Sequence, residues 1–253
     1  VESDNQYCEN QSSSVHISIE DPIDLTGATL TIDSNICESE IDTATYSGTI
    51  TSGPAVIANG IYRITYTVNT ALPVQITATC LNGELKFSIP SSNFQVVGDY
   101  TITITDFELE QTQGICTNII TPLSAVLSIY PTPTIGDDVF SVGSACKDSD
   151  LSVAFFDSSL ADGSYEIFYN LSRNNIATAS AIMNVVGGAA TFTIPGNLLP
   201  NLGSTRIRIT GITNTNTGCS YTVSFVDSFT VNQLPDVSGM AVTAGNQCLG
   251  KSV

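Results

Sequence analysis

Asn59-Gly60-Ile61-Tyr62-Arg63-Ile64-Thr65-Tyr66 has a counterpart in the second half of the chain, Asp162-Gly163-Ser164-Tyr165-Glu166-Ile167-Phe168-Tyr169. In the first copy Tyr62, Ile64, Tyr66 and Val68 alternate with Arg63, Thr65 and Thr67. That period of two marks a strand with one buried and one wet face. The second copy keeps Tyr165, Ile167, Tyr169 and Leu171 and puts Glu166 where Arg63 stood, so this position faces water in both. Asn59-Gly60 and Asp162-Gly163 read as turns ahead of the strand, since both residue types accept positive φ.

Phe87-Ser88-Ile89-Pro90 likewise returns as Phe192-Thr193-Ile194-Pro195 at nearly the same offset. Gly98 with Ile102 and Ile104 returns as Gly203 with Ile207 and Ile209. Gly114-Ile115-Cys116 matches Thr217-Gly218-Cys219. A period of roughly a hundred residues is a domain and not a solenoid turn. Cysteines mark the phase, because Cys8 and Cys37, Cys116 and Cys146, and Cys219 and Cys248 form three pairs of almost equal spacing. Each pair brackets a Pro-containing joint, at Pro22, at Pro131 and Pro133, and at Pro235, where a central ladder could not run.

The chain therefore parses into the C-terminal strands of one repeat (1–20), two whole repeats (21–131 and 132–235) and the N-terminal strand of another (236–253). About seven strands per repeat, with turn signals between them and no helical period, is the pattern of an immunoglobulin-like or fibronectin-type β-sandwich. The expected class is all-β, in tandem. The strand C tryptophan of antibody domains is absent, and Tyr62 or Tyr165 is the candidate to fill its space. Repeat 1 is longer, since more chain separates Cys37 from Cys116 than Cys146 from Cys219, and the excess is expected between Glu38 and Ile57.

Composition narrows the function. Seven Lys+Arg face 24 Asp+Glu among 253 residues, a net charge of −17, and charged residues are only 12 % of the total. A nucleic-acid binder must offer cations to phosphates. Arg63, Lys86, Lys147, Arg173, Arg206, Arg208 and Lys251 read as too few and too scattered to form a groove. No apolar run is long enough for a membrane span, and no direct insertion is expected. No zinc spacing, nucleophile elbow or phosphate loop is present, and the one histidine, His16, reads as an exposed strand residue. The chain is read as no enzyme, with no cofactor.

Seven cysteines in an acidic, Lys-poor chain point to an oxidising, extracellular setting. Two connectivities compete. One closes each repeat on itself, Cys37–Cys116 and Cys146–Cys219. The other joins neighbours, Cys37 to Cys219, with Cys8, Cys116, Cys146 and Cys248 pairing outside these residues. The second is favoured because the turn before strand B and the F–G turn lie at opposite ends of a sandwich. A strand of about seven residues spans roughly 23 Å, whereas bridged Cα atoms lie within about 7 Å. Cys80 is left free, a buried thiol. Acidic residues near the joints, Asp21, Asp24, Asp137 and Asp138 above all, are weak calcium candidates, with a solvated acidic surface the blander reading.

The Cys before the second strand, the Asp/Asn-Gly-x-Tyr-x-Ile-x-Tyr block, the Phe-x-Ile-Pro strand, the Gly ahead of the isoleucine strand and the Gly-x-Cys or Gly-Cys tail together resemble the immunoglobulin-like repeats of very large Bacteroidetes cell-surface adhesins. They are most similar to the SprB repeat of the mobile gliding-motility adhesin, over nearly the whole chain. The resemblance implies type IX secretion to the outer-membrane exterior, long arrays, and adhesion or propulsion over surfaces. It implies neighbouring repeats, an extracellular surface or polysaccharide, and the gliding and secretion machinery (through regions elsewhere) as partners. Asp42-Thr43-Ala44 fits the short O-glycosylation motif of that phylum, with Thr43 the acceptor. The expected role is a stalk or filament segment giving reach, stiffness and grip. The alternatives are a glycan- or protein-binding module, for which an exposed aromatic platform is the discriminating feature, with Phe168 and Phe107 as isolated candidates, and an accessory region of a large secreted enzyme.

Overall fold

The computed structural model describes residues 23–33, 35–112, 122–136 and 139–240. The chain divides into two compact units, 1–36 with 40–129, and 37–39 with 130–253. The first holds β1 (Thr29–Ile32), β2 (Ile36–Cys37), β3 (Tyr46–Thr51), β4 (Gly60–Val68), β5 (Val74–Leu81), β6 (Glu84–Ile89), β7 (Gly98–Leu109) and β8 (Leu123–Tyr130), of which Cys37 and Tyr130 group with the second unit. The second unit holds β9 (Phe140–Val142), β10 (Ala145–Cys146), β11 (Leu151–Phe156), β12 (Gly163–Arg173), β13 (Ala177–Val185), β14 (Ala189–Ile194), β15 (Gly203–Asn214) and β16 (Ser220–Asn232).

Each unit is a β-sandwich. In the second, a five-stranded sheet ordered β10-β16-β15-β12-β13 faces a three-stranded one ordered β14-β11-β9. The first repeats this order, except that its β5–β6 hairpin pairs Cys80 with Leu85 and Leu81 with Glu84, so the ladder runs on from one layer to the other. At the matching corner of the second unit only the bridge Val186–Ala189 forms. The two-residue turns at these corners use the positive φ that twisted hairpins require: Asn82 (53°) and Gly83 (79°) in one, Gly187 (59°) and Gly188 (77°) in the other.

Asn59-Gly60 and Asp162-Gly163 do not take positive φ, contrary to the turn reading. Gly60 and Gly163 already open strands β4 and β12. Their Asx partners instead hold the hairpins: Asn59 Oδ1 accepts the Asn82 N–H and Asp162 Oδ1 the Gly187 N–H, both at 2.7 Å. A short side-chain acceptor satisfies a turn amide that no strand reaches.

Alternation places the cores. Tyr62, Ile64, Tyr66 and Val68 of β4, with Ile102 and Ile104 of β7, are buried in the first unit. Tyr165, Ile167, Tyr169 and Leu171 of β12, with Ile207 and Ile209 of β15, are buried in the second. The alternation breaks at one place in each copy. Thr65 pairs with Asp106 but Tyr66 with Ile104, and Phe168 pairs with Gly211 but Tyr169 with Ile209. The extra residue is a threonine each time, and Thr105 and Thr210 donate their hydroxyls to the Thr65 and Phe168 carbonyls. Such a bulge reverses which parity faces inward, so Phe107 and Ile212 are fully buried beyond it.

The extra length of repeat 1 falls in two places. More chain separates Cys37 from Tyr46 than Cys146 from Leu151, and it forms the 3₁₀ turn Glu38–Glu40 and the turn after it. The connection from β3 to β4 is also longer than that from β11 to β12.

Tyr62 and Tyr165 sit in the cores with their hydroxyls donated to the Ala58 and Ala161 carbonyls at 2.9 Å. Tyr66 and Tyr169 lie against Phe87 and Phe192, centroids 5.7 Å apart in both units, and their hydroxyls are buried with no hydrogen-bond partner. Burial pushes both phenols above their ordinary pKa. An unpaired buried hydroxyl costs about 1–3 kcal/mol, whereas a paired one contributes about 1 kcal/mol. Tyr169→Phe is therefore expected to leave the second unit unchanged or steadier by about 1 kcal/mol, and Tyr165→Phe to weaken it by a similar amount. Urea titration of the two variants checks the opposite signs.

Candidate functional site

Cys219, just ahead of β16, is fully buried and disulfide-bonded to Cys37, their Cα atoms 5.5 Å apart at a sequence separation of 182. Cys37–Ser39 belongs with the second unit, where the Ser39 N–H also donates to Thr132 Oγ1 at 3.0 Å.

The alternative pairing, Cys37 with Cys116 and Cys146 with Cys219, does not form, because Cys37 and Cys219 take each other. Cys146 lies beside Asn232 at one end of β16 and Cys219 before Ser220 at the other. A strand of that length spans roughly 40 Å, far beyond the reach of about 7 Å between bridged Cα atoms. Cys146 is a free, half-buried thiol. Cys80 is free and fully buried, its Sγ 3.7 Å from the Ile57 carbonyl, and burial pushes its pKa up. Cys8, Cys116 and Cys248 lie outside the described residues.

Of the calcium candidates, Asp21, Asp137 and Asp138 lie outside the described residues, as does His16. Asp24 is engaged locally: its Oδ1 accepts the Thr26 N–H at 2.8 Å, and the Thr26 hydroxyl and N–H hold its pKa below the usual carboxylate value. Among the described residues no three His, Cys, Asp or Glu side chains converge. No described helix is long and apolar enough to cross a membrane. Thr43 is exposed in the turn after Glu38–Glu40, its hydroxyl donated to the Glu40 carbonyl at 3.2 Å.

The aromatic candidates separate. Phe107 is not a surface residue: the bulge at Thr105 turns it into the core, where it stacks on Tyr62 at 4.9 Å. Phe168 is 38 % exposed, on the outer face of β12. The cations also depart from a mere scatter. Arg206 and Arg208 alternate with buried Thr205, Ile207 and Ile209, so both stand on the outer face of β15. Antiparallel pairing sets Ser172 and Asn170 beside them on β12, and Ser228 and Val226 on β16. Asn170, Ser172, Arg206, Arg208, Ser224 and Val226 line an open groove of about 510 Å³. The i, i+2 spacing of the arginines is visible in the sequence. What they face is not, because it comes from the two strands that the fold sets on either side of β15.

No family model and no curated protein matches the chain. Among solved structures it is similar to the chicken CNTN1 FN1–FN3 domains, at 14 % identity and a TM-score of 0.44, over 83 % of this chain and 64 % of that one. It thus spans less than two thirds of that segment. A marsupial T cell receptor is similar at 9 % identity and a TM-score of 0.48, over 83 % and 74 % of the two chains. A tetra-tandem repeat from the extending region of a large adhesion protein is similar at 19 % identity and a TM-score of 0.31, over 81 % and 49 %.

Proposed function

We propose that this chain is a stalk segment of a large secreted adhesin of the cell surface, in which successive sandwich repeats are stapled by disulfides. The carrying observation is the Cys37–Cys219 bond together with the internal repeat. Cys37 follows β1 along the chain as Cys146 follows β9, so the same chemistry is on offer at each step. By that rule Cys146 bonds to the F–G cysteine of the next repeat, Cys116 to the cysteine ahead of strand B in the one before, and Cys8 and Cys248 to partners further along. A staple across every joint resists extension at the place where a tandem array is weakest, which suits a filament that bears load. The disulfide fits an oxidising, extracellular space.

The likeness to SprB-type repeats supports a gliding-motility adhesin exported by the type IX system, working through neighbouring repeats and an extracellular surface and not through catalysis. The test is antibody raised to this chain and applied to intact and lysed cells, with non-reducing peptide maps of the protein purified from them. Labelling of intact cells and a Cys37–Cys219 peptide are expected. Labelling only after lysis, or Cys37 and Cys219 recovered as free thiols, would overturn the reading.

A further inference from the structure

The groove on the outer face of β12, β15 and β16 carries two arginines on one strand. Two of the seven Lys and Arg residues stand there side by side, about 7 Å apart as alternate residues of one strand. Neither Arg206 nor Arg208 has an ion pair, the one such pair among the described residues being Lys147–Asp148 at 3.7 Å. Arg173, which lies across from Thr205, donates from Nη1 to Ser204 Oγ at 2.8 Å. The nearest acid on the same face of β12 is Glu166, roughly 13 Å along the strand from Asn170.

The scaffold does not need these cations. In the first unit the same sheet positions hold Thr101 and Thr103, which pair with Val126 and Ser124 of β8, and Thr103 pairs with Thr67 of β4. None of these carries a charge, so the arginines are a local addition to a repeated fold. Next to them lies Phe168, on the same face of β12 as Asn170, with Gly211 opposite it. A Cβ at Gly211 would stand 3.6 Å from Phe168 Cδ2, so glycine there leaves the flank of the ring uncovered.

We propose that this face of the second unit binds a carboxylate-bearing polysaccharide. A guanidinium fork matches the two oxygens of a uronate. Asn170, Ser172 and Ser224 supply the amide and hydroxyl groups that hydrogen-bond sugar hydroxyls. The negative face of the Phe168 ring attracts the C–H face of a pyranose. A shallow, weak site is useful to a polymer ligand, which many copies engage at once. The proposal goes beyond the stalk reading and stands whether or not disulfides join the repeats.

Calorimetric titration of the whole chain with polygalacturonate, and with the same polymer fully methyl-esterified, tests it. Polygalacturonate is expected to bind, the ester at least tenfold more weakly, and high salt to weaken the first selectively. Arg206→Thr/Arg208→Thr, which copies the residues of the first unit, is expected to lose about tenfold with an unchanged melting temperature, and Phe168→Ala to weaken both polymers. Equal binding of the two polymers, no binding of either, or full affinity in the double variant would sink the proposal. So would sedimentation showing a dimer that the double variant dissolves, since the occupant would then be a second copy of the chain.

Discussion

Pulled from its two ends, the oxidised chain is expected to stop well short of the length it reaches after reduction. The bond between Cys37 and Cys219 closes a loop with a sequence separation of 182. At about 3.4 Å per extended residue that loop withholds roughly 600 Å of contour. Cys37→Ser is expected to release it without reductant, and Cys146→Ser to leave it withheld. Full release in Cys146→Ser, or none in Cys37→Ser, would show that other thiols form the bridge. The same bond is expected to raise stability. Loops of this size are worth up to about 5 kcal/mol by chain entropy. The folded strands of the first unit inside the loop shorten its flexible part, so the expected loss on reduction is about 3 kcal/mol. Thermal unfolding of the second unit with and without reductant measures it.

The second large effect lies in the aromatic cores. Phe192 of β14 is buried and lies against Tyr169 and Phe140, at 5.7 and 6.2 Å. Phe87 occupies the matching position of the first unit, against Tyr66. Removing either ring leaves a cavity that stiff neighbouring strands cannot close, a cost of about 3–5 kcal/mol. Since a domain has only about 5–15 kcal/mol to lose, Phe192→Ala is expected to strip amide protection from β12, β14 and β15 while β4, β6 and β7 keep theirs. Phe87→Ala is expected to do the reverse. Each unit has its own cluster of buried side chains, which is the basis for that selectivity. Protection lost equally from both units by either variant would show that the cores do not act separately.

The differences between sequence and structure have local physical causes. Phe107 reads as a surface candidate because nothing in its own neighbourhood announces a bulge. The extra residue at Thr105 exists only relative to the pairing of β7 with β4. Asn59 reads as part of a turn of its own, yet its side chain serves the turn at Asn82, far along the chain. The Asn82-Gly83 dipeptide is itself a strong hairpin signal, and it takes the positive φ that Asn59-Gly60 does not. Arg206 and Arg208 read as scattered because a one-dimensional count does not know which strands will flank them.

The repeat, the strand period and the all-β class are legible from residues alone. Side-chain alternation is a property of each strand's own backbone, and a folded unit written twice reports its pattern twice. Which thiols meet, which parity points inward past a bulge, and which polar groups gather beside the arginines emerge only once the strands have paired. Those depend on how strands far apart in the chain align, and register is a relation between segments that no single segment carries.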